Sequence, residues 1–169
     1  MPSVERVAHR LEVPSGQTFA ELRQRFEDAV PAYDVELFAG FVADRVDWAT
    51  VTEATDRVAT HGFLRYWTVD AGPLMSLAGN NLNCAGYLMG NHLIAQRMYR
   101  HDPGIMLYAP LRVAIHEDVD RRAWLSVDRP SDQFGSFGRP EIAAVGRELD
   151  AKVVNLLGVL DLPVPAELD

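Results

Sequence analysis

The chain has 169 residues, 48% of them hydrophobic, a size and composition that suit one domain with a substantial core. Acidic residues outnumber basic ones 24 to 16, the net charge is -8, and Lys152 is the sole lysine, so the chain lacks the basic stripe that phosphate binding or an anionic membrane surface requires. A single cysteine, Cys84, excludes an internal disulfide and suits a reducing compartment.

The first residues, MPSVERVAHRLEV, alternate apolar and charged side chains and lack the unbroken apolar stretch of a signal peptide. Val7, Leu11 and Val13 share one parity, which predicts a half-buried strand over Val4–Val13. Thr18 and Glu21 have capping-box spacing. Phe19, Leu22, Phe26 and Val30 follow at helical spacing, and Pro31 ends the helix. Residues 32–46 read equally as a short strand or an irregular cover. Thr50 and Glu53 make a second capping box for a weak helix ending near Gly62, which suits a left-handed cap.

Phe63–Val69 is aromatic and β-branched, hence a strand, and Leu74–Ala78 is read as another. Asn91 caps a helix over His92–Arg100, ended by Asp102-Pro103-Gly104. Ile105–His116 reads as one long strand, with Ile105, Leu107, Ala109, Leu111, Val113 and Ile115 forming its apolar face. Ala123–Arg129 returns antiparallel to it. Pro140 opens a last helix whose stripe is Ile142, Val145, Leu149, Val153, Leu156 and Leu160. No stretch approaches the ~20 apolar residues of a membrane span, and a cytoplasmic protein is expected. The elements predict an α+β fold: a curved antiparallel sheet packed against a long C-terminal helix. Residues 1–169 form a single domain in this reading, with a core of 1–30 and 62–162 and an extra helical insert over 31–61.

One feature stands apart. Between Asp70 and Arg97 no side chain carries a formal charge, although a 26-residue run of average composition would hold about six. The run, AGPLMSLAGNNLNCAGYLMGNHLIAQ, holds four glycines, four asparagines, Cys84, and His92 at a helix start. Apolar and neutral-polar groups of this kind line small-molecule pockets, and they also make buried strands.

The C-terminal half resembles an uncharacterised family, the domain of unknown function 302. Tyr87-Leu88-Met89-Gly90-Asn91, Ala95, Met98, Asp102-Pro103, Leu107-Tyr108-Ala109-Pro110-Leu111-Arg112-Val113, Glu117-Asp118, Asp128-Arg129-Pro130-Ser131 and Leu149-Asp150-Ala151-Lys152 carry the resemblance. It runs from about Gly62 to Leu160. It implies a strand–helix–four strands–helix fold, a TATA-binding-protein-like arrangement gripping a long helix, and no established reaction. The family pattern usually has proline after Gly-Asn; His92 stands there instead. An imidazole at the positive end of a helix is favoured in its neutral form.

His92 is therefore the candidate acid/base group, set against the plainer reading of a histidine tolerated at a helix start. Asn91, Tyr87, Tyr108, Met75, Leu88, Met89 and Cys84 are the candidate ligand-binding residues, with Leu74 and Leu77 completing an apolar wall. For Asn91 the plainer role is the helix cap, and for Cys84 a small core filler, since no base accompanies it. The five histidines show no metal-ligand spacing, and the glycines form no phosphate loop, so neither metal nor cofactor is expected. Tyr108, Arg112, Trp124, Ser126 and Asp128 are read as one sheet face. That face is either solvated, with an Arg112–Asp128 pair, or the contact of a homodimer. Two functions follow: a protein binding an apolar small molecule, extending to a cofactor-free cyclase, isomerase or lyase, or a non-catalytic homodimeric or accessory module.

Overall fold

The computed structural model describes residues 3–168. Five antiparallel strands form one open sheet: β1 (Arg10–Pro14), β2 (Leu64–Asp70), β3 (Cys84–Gly90), β4 (Leu111–Glu117) and β5 (Ala123–Asp128). Their spatial order is β1-β5-β4-β3-β2. The last four strands form a meander, and β1 closes the far edge on β5, Leu11 opposite Val127 and Val13 opposite Leu125. The α+β architecture expected from the elements is the one observed.

Alternation along the strands decides which face is buried. Leu11, Val13, Ala85, Tyr87, Met89, Leu111, Val113, Ile115, Leu125 and Val127 all point to one side and are at most 3% exposed. Against them pack α1 (Phe19–Ala29) through Leu22 and Phe26, and α7 (Pro140–Val159) through Ile142, Val145, Leu149, Val153 and Leu156. The Thr18–Glu21 capping box forms as expected: the Glu21 N–H donates to Thr18 Oγ1 at 3.3 Å and the Thr18 N–H to Glu21 Oε2 at 2.9 Å. Gly62 takes the positive φ (82°) expected of it.

Two blocks of the family resemblance meet at the start of α6 (Pro130–Gly135). Asp150, 7% exposed on α7, accepts from the Ser131 N–H at 2.9 Å and from Arg129 Nε at 3.4 Å. The carboxylate thereby satisfies an N–H at the start of a helix whose N-cap, Arg129, makes no side-chain cap. Gly146 lets the two helices touch; a Cβ there would lie 3.1 Å from Phe134 Cβ and 3.2 Å from Ser131 Cα.

Several expectations need correction. The N-terminal strand is shorter than Val4–Val13: pairing begins only at Arg10, opposite Asp128, where β5 ends. Residues 32–46, neither strand nor irregular cover, contain α2 (Val35–Asp44), capped by Asp34. The next helix, α3 (Trp48–Val58), is capped by Asp47, which accepts from the Thr50 N–H and hydroxyl, so the Thr50–Glu53 capping box does not form. Leu74–Ala78 is no strand: Gly72-Pro73 opens a short helix, α4 (Gly72–Ser76). The strand belongs to Cys84–Gly90. Ile105–His116 is also not one strand. Asp102 caps a 3-10 turn over Pro103–Leu107, and Pro110, which has no N–H to donate, precedes the true start at Leu111. Leu107 is 68% exposed and leaves the apolar face assigned to it.

The charge-free run now has an address. It comprises α4, the following turn, β3 and the start of α5 (His92–Tyr99). β3 lies inside the sheet, paired on both sides, and the burial of Ala85, Tyr87 and Met89 against the helices accounts for the lack of charge on that face.

Candidate functional site

Three local features converge where β3 runs into α5. Asn91 caps α5, its Oδ1 accepting from the Leu93 N–H at 2.8 Å, and its Nδ2 donates to the Gly62 carbonyl at 3.2 Å. That places His92 at the first helical position. In β2 the register shifts between Arg65, opposite Met89, and Trp67, opposite Leu88, so Tyr66 is the extra residue of a bulge. Bulges re-aim a side chain, and this one brings Tyr66 to the imidazole. Beyond α1 the chain makes a parallel bridge with β2: the Arg65 N–H donates to the Pro31 carbonyl at 2.8 Å and the Tyr33 N–H to the Arg65 carbonyl at 2.9 Å. Tyr33 is thereby stacked on Tyr66, centroids 4.6 Å apart, and on Phe38 at 4.7 Å.

Both ring nitrogens of His92 are engaged. Nε2 lies 2.7 Å from Thr55 Oγ1 and Nδ1 lies 2.9 Å from Tyr66 Oη. The hydroxyl of Thr55, fully buried on α3, also lies 2.7 Å from the Val51 carbonyl, to which it donates. A hydroxyl has one hydrogen. Thr55 Oγ1 therefore accepts from Nε2–H; in the neutral ring, which burial favours, Nδ1 is then bare and accepts from the Tyr66 hydroxyl. The imidazole is neutral and its tautomer is set by these partners. Phe38, 4.8 Å away edge-on, and the more distant rings of Tyr33 and Trp48 surround it. Burial holds its pKa below the ordinary imidazole value. The neutral form was expected from the helix dipole; desolvation is the cause found. Burial likewise pushes the Tyr66 phenol well above its ordinary range.

His92 stands between two hollows. On one side a cavity of about 170 Å³ opens between α5, α7 and the start of β4. Its walls are apolar: Phe63, Ile94, Met98, Leu111, Phe134 and Leu149 are each at most 8% exposed. Tyr66, Asn91 and His92 are its only polar side chains, and Met106, 52% exposed, marks its mouth. On the other side, Tyr33, Phe38, Phe41, Trp48 and Arg45 line an open cleft of about 340 Å³.

The residues singled out from the sequence do not gather in one place. His92 and Asn91 border the cavity. Tyr87 and Met89 lie in the core on the helix-covered face, 2% and 1% exposed, the Tyr87 hydroxyl donating to Glu27 Oε1 at 3.0 Å. Leu88 and Cys84 belong to the opposite side of β3; Cys84 is half-buried, and desolvation first and Asp70 second raise its thiol pKa. Met75 lies on α4, 45% exposed, with Leu74 and Leu77 more exposed still. Tyr108 is not a member of the sheet. It follows the 3-10 turn, packs edge-on against Phe134 and Phe137, and carries the Arg6 guanidinium 4.8 Å above its ring. Arg112, Trp124 and Asp128 do lie on the sheet face away from α1 and α7, but no ion pair joins Arg112 to Asp128; Asp128 accepts from Gln133 at 3.2 Å. Among the described residues no three histidine, cysteine or carboxylate side chains converge as a metal site, and no helix is long and apolar enough to cross a membrane.

Thr55, Tyr66, Tyr33 and Phe38 escaped the sequence reading. The signal for Thr55 was present: it is a hydroxyl within the stripe Val51, Ala54, Val58 of a helix, and a polar group in such a stripe needs a buried partner. Tyr66 gave no signal, because its direction depends on a bulge.

The fold and site describe an α+β protein whose antiparallel sheet, α5 and α7 border a small, half-open apolar hollow, polar only beside its histidine. The model of the domain of unknown function DUF302 matches residues 46–160, and the chain belongs to that family. The crystal structure of an uncharacterized conserved DUF302 protein from Bacillus stearothermophilus is similar in fold, with a TM-score of 0.57 at 12% identity, covering 91% of this chain and 95% of that one. No curated protein matches the chain significantly.

Proposed function

We propose that the protein binds a small, largely apolar molecule in the cavity beside His92. The observation that carries this reading is a half-open hollow of about 170 Å³ walled by apolar core residues, with its polar groups confined to one corner. Concave, mostly apolar hollows with a few polar groups are the usual form of small-molecule sites. An apolar cavity of about 150 Å³ accepts benzene, so the occupant has roughly six to ten heavy atoms. Binding is favoured over turnover, because both imidazole nitrogens are already bonded, to Thr55 and Tyr66; proton transfer would first have to break one of these bonds.

The test is titration of the ¹⁵N-labelled protein with toluene, followed by NMR. Shifts should concentrate at residues 91–98 and 106–111. Ala95→Leu, which fills the cavity from α5, should abolish them. Absence of saturable shifts in the unmodified protein refutes the reading.

A further inference from the structure

The hydrogens of the Tyr66–His92–Thr55 series are all assigned. Thr55 spends its hydrogen on the Val51 carbonyl, His92 spends its Nε2 hydrogen on Thr55, and Tyr66 spends its own on His92 Nδ1. Each group in the series has one hydrogen and gives it away in the same direction, from Tyr66 toward α3. Tyr66 Oη is left with lone-pair capacity only. Asn91 is held at the helix start by bonds from Leu93 and to Gly62, the latter using one of its two amide hydrogens.

From this we infer, on the basis of the ligand-binding reading above, that the cavity selects a ligand bearing a hydrogen-bond donor, an alcohol, phenol or amine N–H, which donates to Tyr66 Oη. His92 is a positioning residue in this scheme. It holds the Tyr66 hydroxyl so that the oxygen presents a lone pair. An acceptor-only group, such as an ether or carbonyl, faces that lone pair without a hydrogen between them and has only the second Asn91 amide hydrogen to turn to. A carboxylate adds the loss of its hydration in an apolar chamber. Reversing the series would let Tyr66 donate to the ligand, but Thr55 must then turn from the Val51 carbonyl to His92 Nε2 and leave that bond unmade. The fixed direction therefore rests on one buried hydroxyl, Thr55, which does not itself line the cavity and acts through His92.

The probes are toluene, phenol, benzaldehyde and benzoate, all near the size of the chamber. In the unmodified protein phenol should bind, while benzoate should fail to compete with toluene. Tyr66→Phe should weaken phenol about fivefold, the worth of one neutral hydrogen bond, and leave toluene within twofold. Thr55→Val should release the relay. The ¹⁵N shifts of the His92 ring should then report protonation moving from Nε2 toward Nδ1, and benzaldehyde should gain on phenol while toluene stays unchanged, certifying an intact chamber. Equal loss of phenol and toluene in Tyr66→Phe, competition by benzoate, or an unmoved phenol-to-benzaldehyde ratio in Thr55→Val overturns the inference and leaves the cavity reading standing. Failure of toluene itself to bind overturns both.

Discussion

His92 shows how much a single ring depends on its neighbours. At the first position of a helix a histidine is often exposed, and there its protonation would follow solvent. Here Thr55, Tyr66, Phe38 and Trp48 desolvate it and give both nitrogens neutral partners. Its folded pKa is lowered, whereas in the unfolded chain it titrates near 6.5. Between those two values the unfolded state binds the extra proton, so stability falls as pH drops below about 6.5, and the contribution is complete above it. His92→Gln should cost about 1–3 kcal/mol at pH 7, because it strands the buried Thr55 hydroxyl and the half-buried Tyr66. The gap between wild type and variant in urea midpoint should narrow from pH 7 to pH 5. A gap independent of pH would contradict a half-buried, neutral imidazole.

At the scale of elements, the contact between α6 and α7 is the most sharply specified. An alanine at position 146 gains helix propensity worth up to ~1 kcal/mol. Its Cβ, however, meets Ser131 Cα and Phe134 Cβ at 3.2 and 3.1 Å, atoms tied to backbone that cannot swing aside. Overpacking of this kind costs about 1–3 kcal/mol and outweighs the propensity gain. Gly158, on the same helix, has nothing within 4 Å of its Cβ position. Gly146→Ala should therefore lower the denaturation midpoint while Gly158→Ala raises it. Changes of the same sign in both variants would mean that the helices do not approach this closely. The family blocks around Asp128-Arg129-Pro130-Ser131 and Leu149-Asp150 have the same explanation: they are the two sides of this contact.

Across the whole molecule, order is distributed unevenly. The inner face of the sheet with α1 and α7 forms one continuous core. The helix α2 is apolar along its length, yet Phe38 is its only buried side chain, while Val35 and Val42 are 66% and 79% exposed. Elements with few buried contacts open at lower free energy than the core. Amide exchange should be slower in β3, β4 and β5 than in α2 by on the order of a hundredfold or more. Comparable protection would show that α2 is covered in solution. Because Phe38 packs on Tyr33 and His92, opening of α2 also loosens one side of the histidine's surroundings.

Sequence alone determined the elements whose residues alternate or repeat against a polar background. The helices α1, α5 and α7, the strands β2 and β5, the Thr18 box and the Asn91 cap all carry that contrast, and with the family blocks they yield the α+β fold. β3 had no such contrast. Its outward residues, Cys84, Gly86, Leu88 and Gly90, are uncharged although only partly buried, so no polar alternate marked the period of two. Ile105–Leu107 misled in the opposite way, since apolar alternation continued through a proline-capped turn. His92 was legible as a departure from pattern within the charge-free run. Its partners were not, because Thr55 is 37 residues away and Tyr66 is 26, and only a bulge and a helix crossing bring them together. Local periodicity specifies elements; the direction of three hydroxyl and imidazole hydrogens is a property of the packed tertiary structure.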